Sequence, residues 1–190
     1  MAEETEVQVD PRQHAHNEAV AAFERQHAEW DEMIRQIGLD RMDEPGVMGE
    51  WSAKDLIAHL AGWQWKTIES FKTALGGTTE YPETPWPDDL NMAGNWEDDG
   101  DYEAINQWIH DQTTDDSADD VIQQARDQWN ELRGIVAGLS IDQMEDPQLF
   151  VRTEGRSLGD LLRAGEFSGH FTEHYADDVE PWLEANGRRF

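Results

Sequence analysis

The chain has 190 residues, of which 42 are acidic and 14 are basic, so its formal net charge is −28; it contains no cysteine. This length suits one domain with a sizeable core. The lack of cysteine excludes a disulfide scaffold, a thiolate nucleophile and a cysteine metal site, so any metal must be held by His, Asp or Glu. The charge argues against binding to nucleic acid or anionic lipid, because their phosphates would be repelled.

The sequence carries no targeting or membrane signal. Its first residues, MAEETEVQVDPRQ, are acidic and lack the apolar core of a signal peptide, and no run approaches the roughly 18 apolar residues of a membrane span. We therefore expect a cytoplasmic protein, with residues 1–10 as a disordered acidic N-terminus and residues 11–187 as one domain. The acidity fits a halophilic source, because strong salt screens self-repulsion; it also fits an ordinary acidic cytosolic protein.

Helical periodicity dominates, and no run alternates apolar and polar residues clearly enough to predict a strand. The first predicted helix runs from Pro11 to Ile37 and stops at Gly38. The second begins at Ser52, which has capping-box spacing with Asp55. The apolar positions of these helices include Val20, Phe23, His27, Trp30, Ile34 and Ile37 in the first, and Ala53, Leu56, Ile57, Leu60, Ile68 and Phe71 in the second.

Residues 78–101 are rich in Pro, Gly, Asp and Trp and predict a long connection. A short helix after it is indicated by Tyr102, Ile105 and Ile109. The third long helix starts at Ser117 and the fourth at Ser157, with residues 140–156 as a second connection. Apolar residues of the fourth helix are Leu158, Leu161, Phe171, Tyr175, Val179 and Trp182. The chain therefore reads as all-α: a four-helix bundle with a long crossover between helices two and three.

Two of the seven histidines, His170 and His174, stand four residues apart. On a helix this spacing places both imidazoles on one face, where they can hold one ion, although packed or solvated pairs share the spacing. A third ligand must come from another helix, and His59 is the candidate. A helical wheel with roughly 100° per residue places all three about 100–120° from their apolar stripes. The wheel predicts a position at the edge of a cleft, and solvent-facing histidines would give the same pattern.

Acidic residues surround the His170/His174 pair. Glu166 and Asp177 fall on nearly the same face as the histidines, whereas Glu173 lies beside them. Such carboxylates can hold a ligand imidazole in one tautomer or act as a general base; alternatively they belong to the acidic surface. Of the other histidines we expect His14, His16 and His110 to be solvated, and His27 to be packed in the core.

Two blocks resemble the DinB/YfiT-like superfamily. GEWSAKDLIAHLAGWQ, residues 49–64, is similar to its second helix, where Trp-Ser precedes Asp and the pattern His-Leu-x-x-Trp. GHFTEHYADDVEPWL, residues 169–183, is similar to its fourth helix with His-x-x-x-His. The likeness spans residues 12–185, although the specific motifs cover only the two blocks. The first block and the Pro-Trp-rich connection look most like the ClbS/DfsB-type branch, whose members often lack the full histidine triad that this chain retains.

The resemblance implies a four-helix bundle that holds a divalent metal (nickel, zinc or iron) on His59, His170 and His174. Members of the superfamily include hydrolases, and transferases and isomerases that use low-molecular-weight thiols. It therefore implies a metal-dependent hydrolase or thiol transferase that acts on a small molecule, with the thiol as a further cosubstrate. A thiol that carries a carboxylate would favour a basic pocket, and the local cluster of basic residues is Arg152, Arg156 and Arg163.

The alternative is a non-catalytic module that binds or sequesters a small molecule. Trp86 and Trp96 in the long connection can line an apolar pocket, whereas core packing is expected of Trp63, Trp108, Trp129 and Trp182.

We also expect a homodimer. Family members resembling this chain are often dimers, and aromatic residues outside the predicted helices, among them Tyr81, are typical of an interface or a pocket.

Overall fold

The computed structural model describes residues 10–77, 102–150 and 155–188. The first helix, α1, spans Pro11–Ile37 as predicted. The Asp10 carboxylate accepts a hydrogen bond from the Arg12 backbone N–H at 2.9 Å, which caps the helix, and Gly38 at φ 87° ends it. Of the predicted disordered N-terminus, residues 1–9 lie outside the described part, and Asp10 belongs to the helix cap.

A short antiparallel hairpin precedes the second helix, so the expectation of no strand is wrong here. Strand β1 covers Pro45–Met48 and β2 covers Trp51–Ser52, with Met48 opposite Trp51. Gly49, at φ 61°, provides the left-handed conformation that the turn between them requires. Strands of four and two residues are too short to show alternation in the sequence.

The hairpin leads directly into α2, Ala53–Ala74. The predicted capping box is present: the Asp55 N–H donates to Ser52 Oγ at 3.2 Å, and the Ser52 N–H donates to Asp55 Oδ2 at 2.9 Å. Strand β2 and the start of α2 are therefore held in one fixed geometry, which sets the direction of every side chain in the first turns of α2.

Three helices follow between residues 102 and 150. They are α3 at Tyr102–Thr113, α4 at Ala118–Gly138, and the single turn α5 at Ile141–Met144. Helix α2 packs against α4, with an ion pair between Lys72 and Glu131, and α3 lies close to α2. The approach at Gly62 is so tight that a Cβ there would lie 2.7 Å from Ile109. Residues 78–101, the predicted crossover, lie outside the described part of the chain.

The predicted fourth helix starts at Ser157 as expected but is not continuous. Helix α6, Leu158–Ala164, ends at Gly165, which adopts a left-handed φ of 76°. The chain becomes helical again in α7, Gly169–His174, then passes through a π-helical turn at Tyr175–Val179 and ends in α8, Glu180–Asn186. The Glu166 N–H returns to the Leu161 carbonyl at 3.0 Å, so the backbone itself closes α6.

One large apolar cluster joins these elements. Helix α1 packs against α4 and α6, and apolar side chains from α1, α2, α4, α6, α7 and α8 meet in the core. Its largest fully buried members are Phe23, Trp30, Met33, Ile37, Met42, Leu56, Ile57, Ile68, Ile122, Leu132 and Phe150. The described chain is thus mostly helical, as expected for the all-α class. None of its helices combines the length and apolar content that a membrane span requires.

Candidate metal centre

The three histidines singled out by the sequence meet at one point. His59 lies on α2, two turns from its capped start, and is 3% exposed, whereas His170 and His174 occupy successive turns of α7 and are half-buried. His170 Nε2 lies 3.1 Å from His59 Nε2 and 3.1 Å from His174 Nε2. Taking one nitrogen from each ring, all three lie within 4.8 Å of one another. Helices from distant parts of the sequence therefore direct three imidazoles at a common centre.

Hydrogen bonding between the rings cannot satisfy this arrangement. A neutral imidazole nitrogen offers one in-plane position, which is either an N–H donor or a lone pair. His170 Nε2 has two ring nitrogens at 3.1 Å, one on each side, and can form a hydrogen bond with only one of them. A cation at the centre would instead accept the lone pairs of all three nitrogens, so the donor set fits a metal ion.

The pKa values favour neutral ligands. Burial, and then the neighbouring His170 and His174, lower the pKa of His59 to about 3. Burial and the neighbouring His174 lower the pKa of His170 to about 4. Both rings are therefore neutral near pH 7, which is the form that coordinates a metal. Imidazole donors suit zinc, nickel or iron better than the hard cations magnesium and calcium.

An outer layer holds the rings in place. His174 Nδ1 lies 2.7 Å from Asp178 Oδ2, a carboxylate–histidine contact that directs Nε2 towards the centre. Trp51 from strand β2 meets the His59 ring edge-on, with centroids 5.7 Å apart. His59 Nδ1 is buried and has no hydrogen-bond partner among the described residues. The usual outer hydrogen bond of a ligand histidine is thus present at His174, whereas packing orients His59.

The acidic residue beside the cluster is not one of those expected from the sequence. Glu166 is exposed and pairs with Arg156, and Asp177 is exposed on the π-helical turn. The neighbouring Asp178 contacts His174 instead. Its position four residues after His174 was the available sequence signal, because that spacing stacks two side chains on one helix face. Trp51 belongs to the Trp-Ser step of the first family-like block, but that resemblance predicted no contact between Trp51 and His59.

The expected place of the cluster also needs correction. The helical wheel put His59 at the edge of a cleft, but it is buried against Trp51 and both partner histidines. The wheel for His170 and His174 assumed one continuous helix from Ser157. The break at Gly165 rotates His170 and His174 relative to the apolar residues of α6. The π-helical turn at Tyr175–Val179 rotates the apolar residues of α8 relative to the two histidines.

The remaining histidines are not part of the three-histidine centre, although His110 reaches it indirectly through Trp51. His27 is buried and stacked on Trp129, which confirms that it is packed, and His14 is exposed as expected. His16 and His110, expected to be solvated, are only partly exposed. His16 Nε2 lies 2.9 Å from the Leu139 carbonyl oxygen, and the His110 ring stacks on Trp51 at 5.3 Å.

A cavity of about 420 Å³ lies beside His170. Its aromatic walls are Trp30, Trp63, Phe71, Trp129, Phe167 and Phe171. Trp63 and Trp129 are buried, as the core interpretation expected, and they also form cavity wall; Trp182 is buried and Trp108 partly so. Tyr81, Trp86 and Trp96 lie outside the described residues.

The predicted basic cluster does not form beside the cavity. Arg163 pairs with Glu145 and with Asp160, each at 2.8 Å, and these partners raise its pKa. Arg156 lines the cavity but is paired with Glu166, and Arg152 lies outside the described residues. The described residues therefore give no support to a site for a thiol's carboxylate.

Comparison with known proteins shows the fold alone. No family model and no curated protein matches the chain. It is similar in structure to an uncharacterised protein from Escherichia coli UTI89, with a TM-score of 0.65 and 14% identity over 92% of this chain and 96% of that one. It is also similar to a protein from Streptococcus pneumoniae, with a TM-score of 0.56 and 11% identity over 93% and 92%. Both likenesses cover nearly the whole of each chain.

Proposed function

We propose that this chain is a divalent-metal-dependent enzyme that acts on a small molecule, with His59, His170 and His174 as the metal ligands. The observation that carries the proposal is the contact of His170 Nε2 with two other ring nitrogens at 3.1 Å, which neutral imidazoles cannot satisfy by hydrogen bonding. Two short motifs that resemble the DinB/YfiT-like superfamily support it, and so does the low pKa of His59 and of His170.

Hydrolysis is the reaction that we favour. A divalent ion on three imidazoles supplies Lewis-acid chemistry and leaves coordination positions open. The chain's own residues would keep the rings neutral, hold His174 through Asp178, and seat the substrate in the cavity beside His170. Thiol transfer comes second, because Arg156, which lines the cavity, is already paired with Glu166.

The wider proposal includes a four-helix bundle of the DinB type, in which α6 to α8 together form the fourth helix. It also includes a cytoplasmic location and a homodimer. The aromatic content of the chain supports the dimer, because exposed aromatic side chains are typical of an interface. Light scattering at two protein concentrations and two salt levels tests the dimer, and a monomer mass under all four conditions would exclude it.

The decisive experiment is metal analysis of protein purified without a histidine tag and under anaerobic conditions. One equivalent of zinc, nickel or iron is expected in the wild type. Each of His59→Ala, His170→Ala and His174→Ala should lower the affinity by more than the roughly 10- to 100-fold that loss of an outer partner costs. His14→Ala is the matched control, since His14 is exposed on α1, and it should keep full stoichiometry.

Equal metal content in all four variants would exclude the three-histidine site. If the wild type binds no divalent metal at all, the alternative of a non-catalytic binding module takes its place, because the cavity does not depend on a metal. Incubation of the loaded protein with ester, amide and epoxide panels, with and without a thiol, separates the two reactions. Mass spectrometry then reports either addition of water or capture by the thiol, as a thioester from an ester or amide and as a thioether from an epoxide.

A further inference from the structure

Two tryptophans stand next to histidines of the candidate metal centre. Trp51 contacts the ring of His59, with centroids 5.7 Å apart and planes at 60°. Trp63 contacts the ring of His170, with centroids 6.2 Å apart and planes at 82°. Neither tryptophan is itself a metal ligand, because an indole nitrogen carries a hydrogen and only donates. Each one instead restricts the orientation of the imidazole that it touches.

One helix, α3, reaches both tryptophans. The His110 ring stacks on the Trp51 indole, with centroids 5.3 Å apart and planes only 21° from parallel. One turn earlier on the same helix, Asn106 Oδ1 accepts a hydrogen bond from Trp63 Nε1 at 3.0 Å. Residues four apart share a helix face, so α3 presents Asn106 and His110 to the two tryptophans together. The stack holds one indole by its face, and the hydrogen bond holds the other by its edge.

Helix α3 is packed closely enough on α2 to transmit these contacts. A Cβ at Gly62 would lie 2.7 Å from the Ile109 side chain, so the two helices approach closely beside Trp63. Ile105 and Ile109 are 1% and 3% exposed, and together with Trp63 they form a small apolar cluster that is separate from the main core. Because packed interiors have low compressibility and transmit strain, a displacement of α3 moves the tryptophans that it holds.

We propose that α3 is an outer clamp of the metal centre: Asn106 and His110 are positioning residues that hold two of the three histidines through the two tryptophans. That the held rings bind a metal rests on the proposed function, whereas the clamp itself rests on the contacts above. The clamp accounts for an asymmetry in the outer layer, since His174 is held by Asp178 but His59 Nδ1 has no hydrogen-bond partner among the described residues.

The test measures zinc affinity of the full-length protein by competition with a chromophoric chelator. His110→Ala removes the stacked ring, and Asn106→Leu removes the acceptor but keeps the size of the side chain. We expect each to lower the affinity by about 10-fold, the lower end of the effect of an outer partner, because α3 acts through one further residue. His110→Phe keeps a flat ring on Trp51 and should stay within about threefold of the wild type.

Gln107→Leu is the matched control for Asn106→Leu. It makes the same chemical change at the neighbouring position of α3, which is exposed. It should therefore leave the zinc affinity unchanged.

A spectroscopic signature separates positioning from a general loss of stability. Cobalt(II) replaces zinc, and its visible absorption bands depend on the geometry of the ligands. At saturating cobalt, His110→Ala and Asn106→Leu should shift these bands, and His110→Phe should restore them. A substitution that only destabilises the fold would leave the bands of the folded, loaded protein unchanged.

A measurement without metal keeps failure of the clamp distinct from failure of the metal site. In NMR spectra of the metal-free protein, the ring protons of His59 should shift in His110→Ala, and those of His170 should shift in Asn106→Leu, because each substitution releases the neighbouring indole. Gln107→Leu should change neither set of signals. If the wild type binds no divalent metal, the proposed function fails, and these signals alone decide whether α3 holds the rings.

Three results would overturn the clamp. The first is wild-type zinc affinity and cobalt bands in both His110→Ala and Asn106→Leu. The second is a loss of affinity in Gln107→Leu as large as that in Asn106→Leu, and the third is unchanged ring signals in both of the first two variants. If circular dichroism shows that Asn106→Leu is unfolded, the comparison of His110→Ala with His110→Phe decides the result.

Discussion

His27 and the three-histidine centre are both buried imidazole environments, but their ring nitrogens face different partners. Arg133 donates a guanidinium N–H to His27 Nδ1 at 2.8 Å, and the His27 ring stacks on Trp129. At the centre, by contrast, three Nε2 atoms face one another and no cation of the described chain approaches them in the contacts found. Burial of a histidine on an apolar helix face therefore does not define a site. What points to a metal site is that the ring nitrogens of His59, His170 and His174 face one another without a donor for each lone pair.

The largest expected effect separates the two environments by their response to metal. At a zinc concentration of about 100 times Kd, the free energy of unfolding should rise by about 2.7 kcal/mol. His170→Ala should lose this increase. His27→Gln should keep it, although the loss of packing lowers its stability in the absence of metal by about 2 kcal/mol. Thermal or urea denaturation with and without zinc measures both quantities.

Two results would contradict this distinction between His27 and the three-histidine centre. If zinc stabilises His170→Ala as much as the wild type, the metal binds elsewhere, for instance on surface carboxylates. If His27→Gln loses the zinc effect while His14→Ala keeps it, His27 takes part in metal binding and its contact with Arg133 is not a permanent one.

The second prediction concerns Asp178, which lies 2.7 Å from His174 Nδ1, whereas the carboxylate at the same spacing from His27, Asp31, lies 3.8 Å from its Nε2. Asp178→Asn keeps the shape of the side chain but removes the charge that faces His174 Nδ1. Loss of such an outer carboxylate lowers metal affinity by about 10- to 100-fold. Asp177→Asn is the matched control, because it makes the same chemical change at the exposed neighbouring position. Competition titration with a chromophoric chelator measures both variants, and equal affinities would exclude the role of Asp178.

The sequence was sufficient for the residues of the centre but not for their setting. His59, His170 and His174 follow from spacing and from the resemblance of two short blocks. The start of α2 and the start of α6 follow from Ser-x-x-Asp caps, which are local hydrogen-bond patterns. Features that depend on neighbouring residues in sequence were therefore predictable.

Features that depend on tertiary packing were not. The hairpin before α2 is too short for periodicity to detect, yet it supplies Trp51 to His59. The break at Gly165 leaves the apolar spacing on either side looking helical, so a wheel drawn through it gives wrong angles.

The third prediction is a loss of stability in mild acid in the metal-free protein. The folded state holds His170 at a pKa of about 4, and burial also lowers the pKa of His27, against an unfolded value near 6.5. The unfolded chain therefore binds more protons below pH 6.5, and the free energy of unfolding falls as pH decreases towards 4. Each such group contributes at most about 1.4 kcal/mol per pH unit.

Urea denaturation at pH 7, 6 and 5 in the presence of a chelator measures this loss. His170→Gln and His27→Gln should each have a shallower dependence on pH than the wild type, whereas exposed His14→Gln should match it. If both of the first two variants keep the wild-type slope, these rings are not held neutral by the fold. Saturating zinc should make the wild-type dependence steeper, because protons compete with the metal for the imidazoles.

The smallest expected effect is that of salt, where local ion pairs around His27 oppose the charge of the whole chain. The pairs Arg133–Glu24 and Arg126–Asp31 are partly exposed, and such pairs contribute at most about 1 kcal/mol each. Against them stands a net charge of −28, whose repulsion is spread over the whole surface. Between about 0.1 M and 1 M potassium chloride the screening length falls from about 10 Å to about 3 Å, which weakens both the ion pairs and the net repulsion.

Because the net repulsion involves many more charges than the ion pairs, its loss should dominate. The melting temperature should therefore rise by about 2–4 °C for each kcal/mol gained. A flat or falling melting temperature would show that paired charges, such as those near His27, outweigh the net repulsion, and it would remove the basis for a halophilic interpretation.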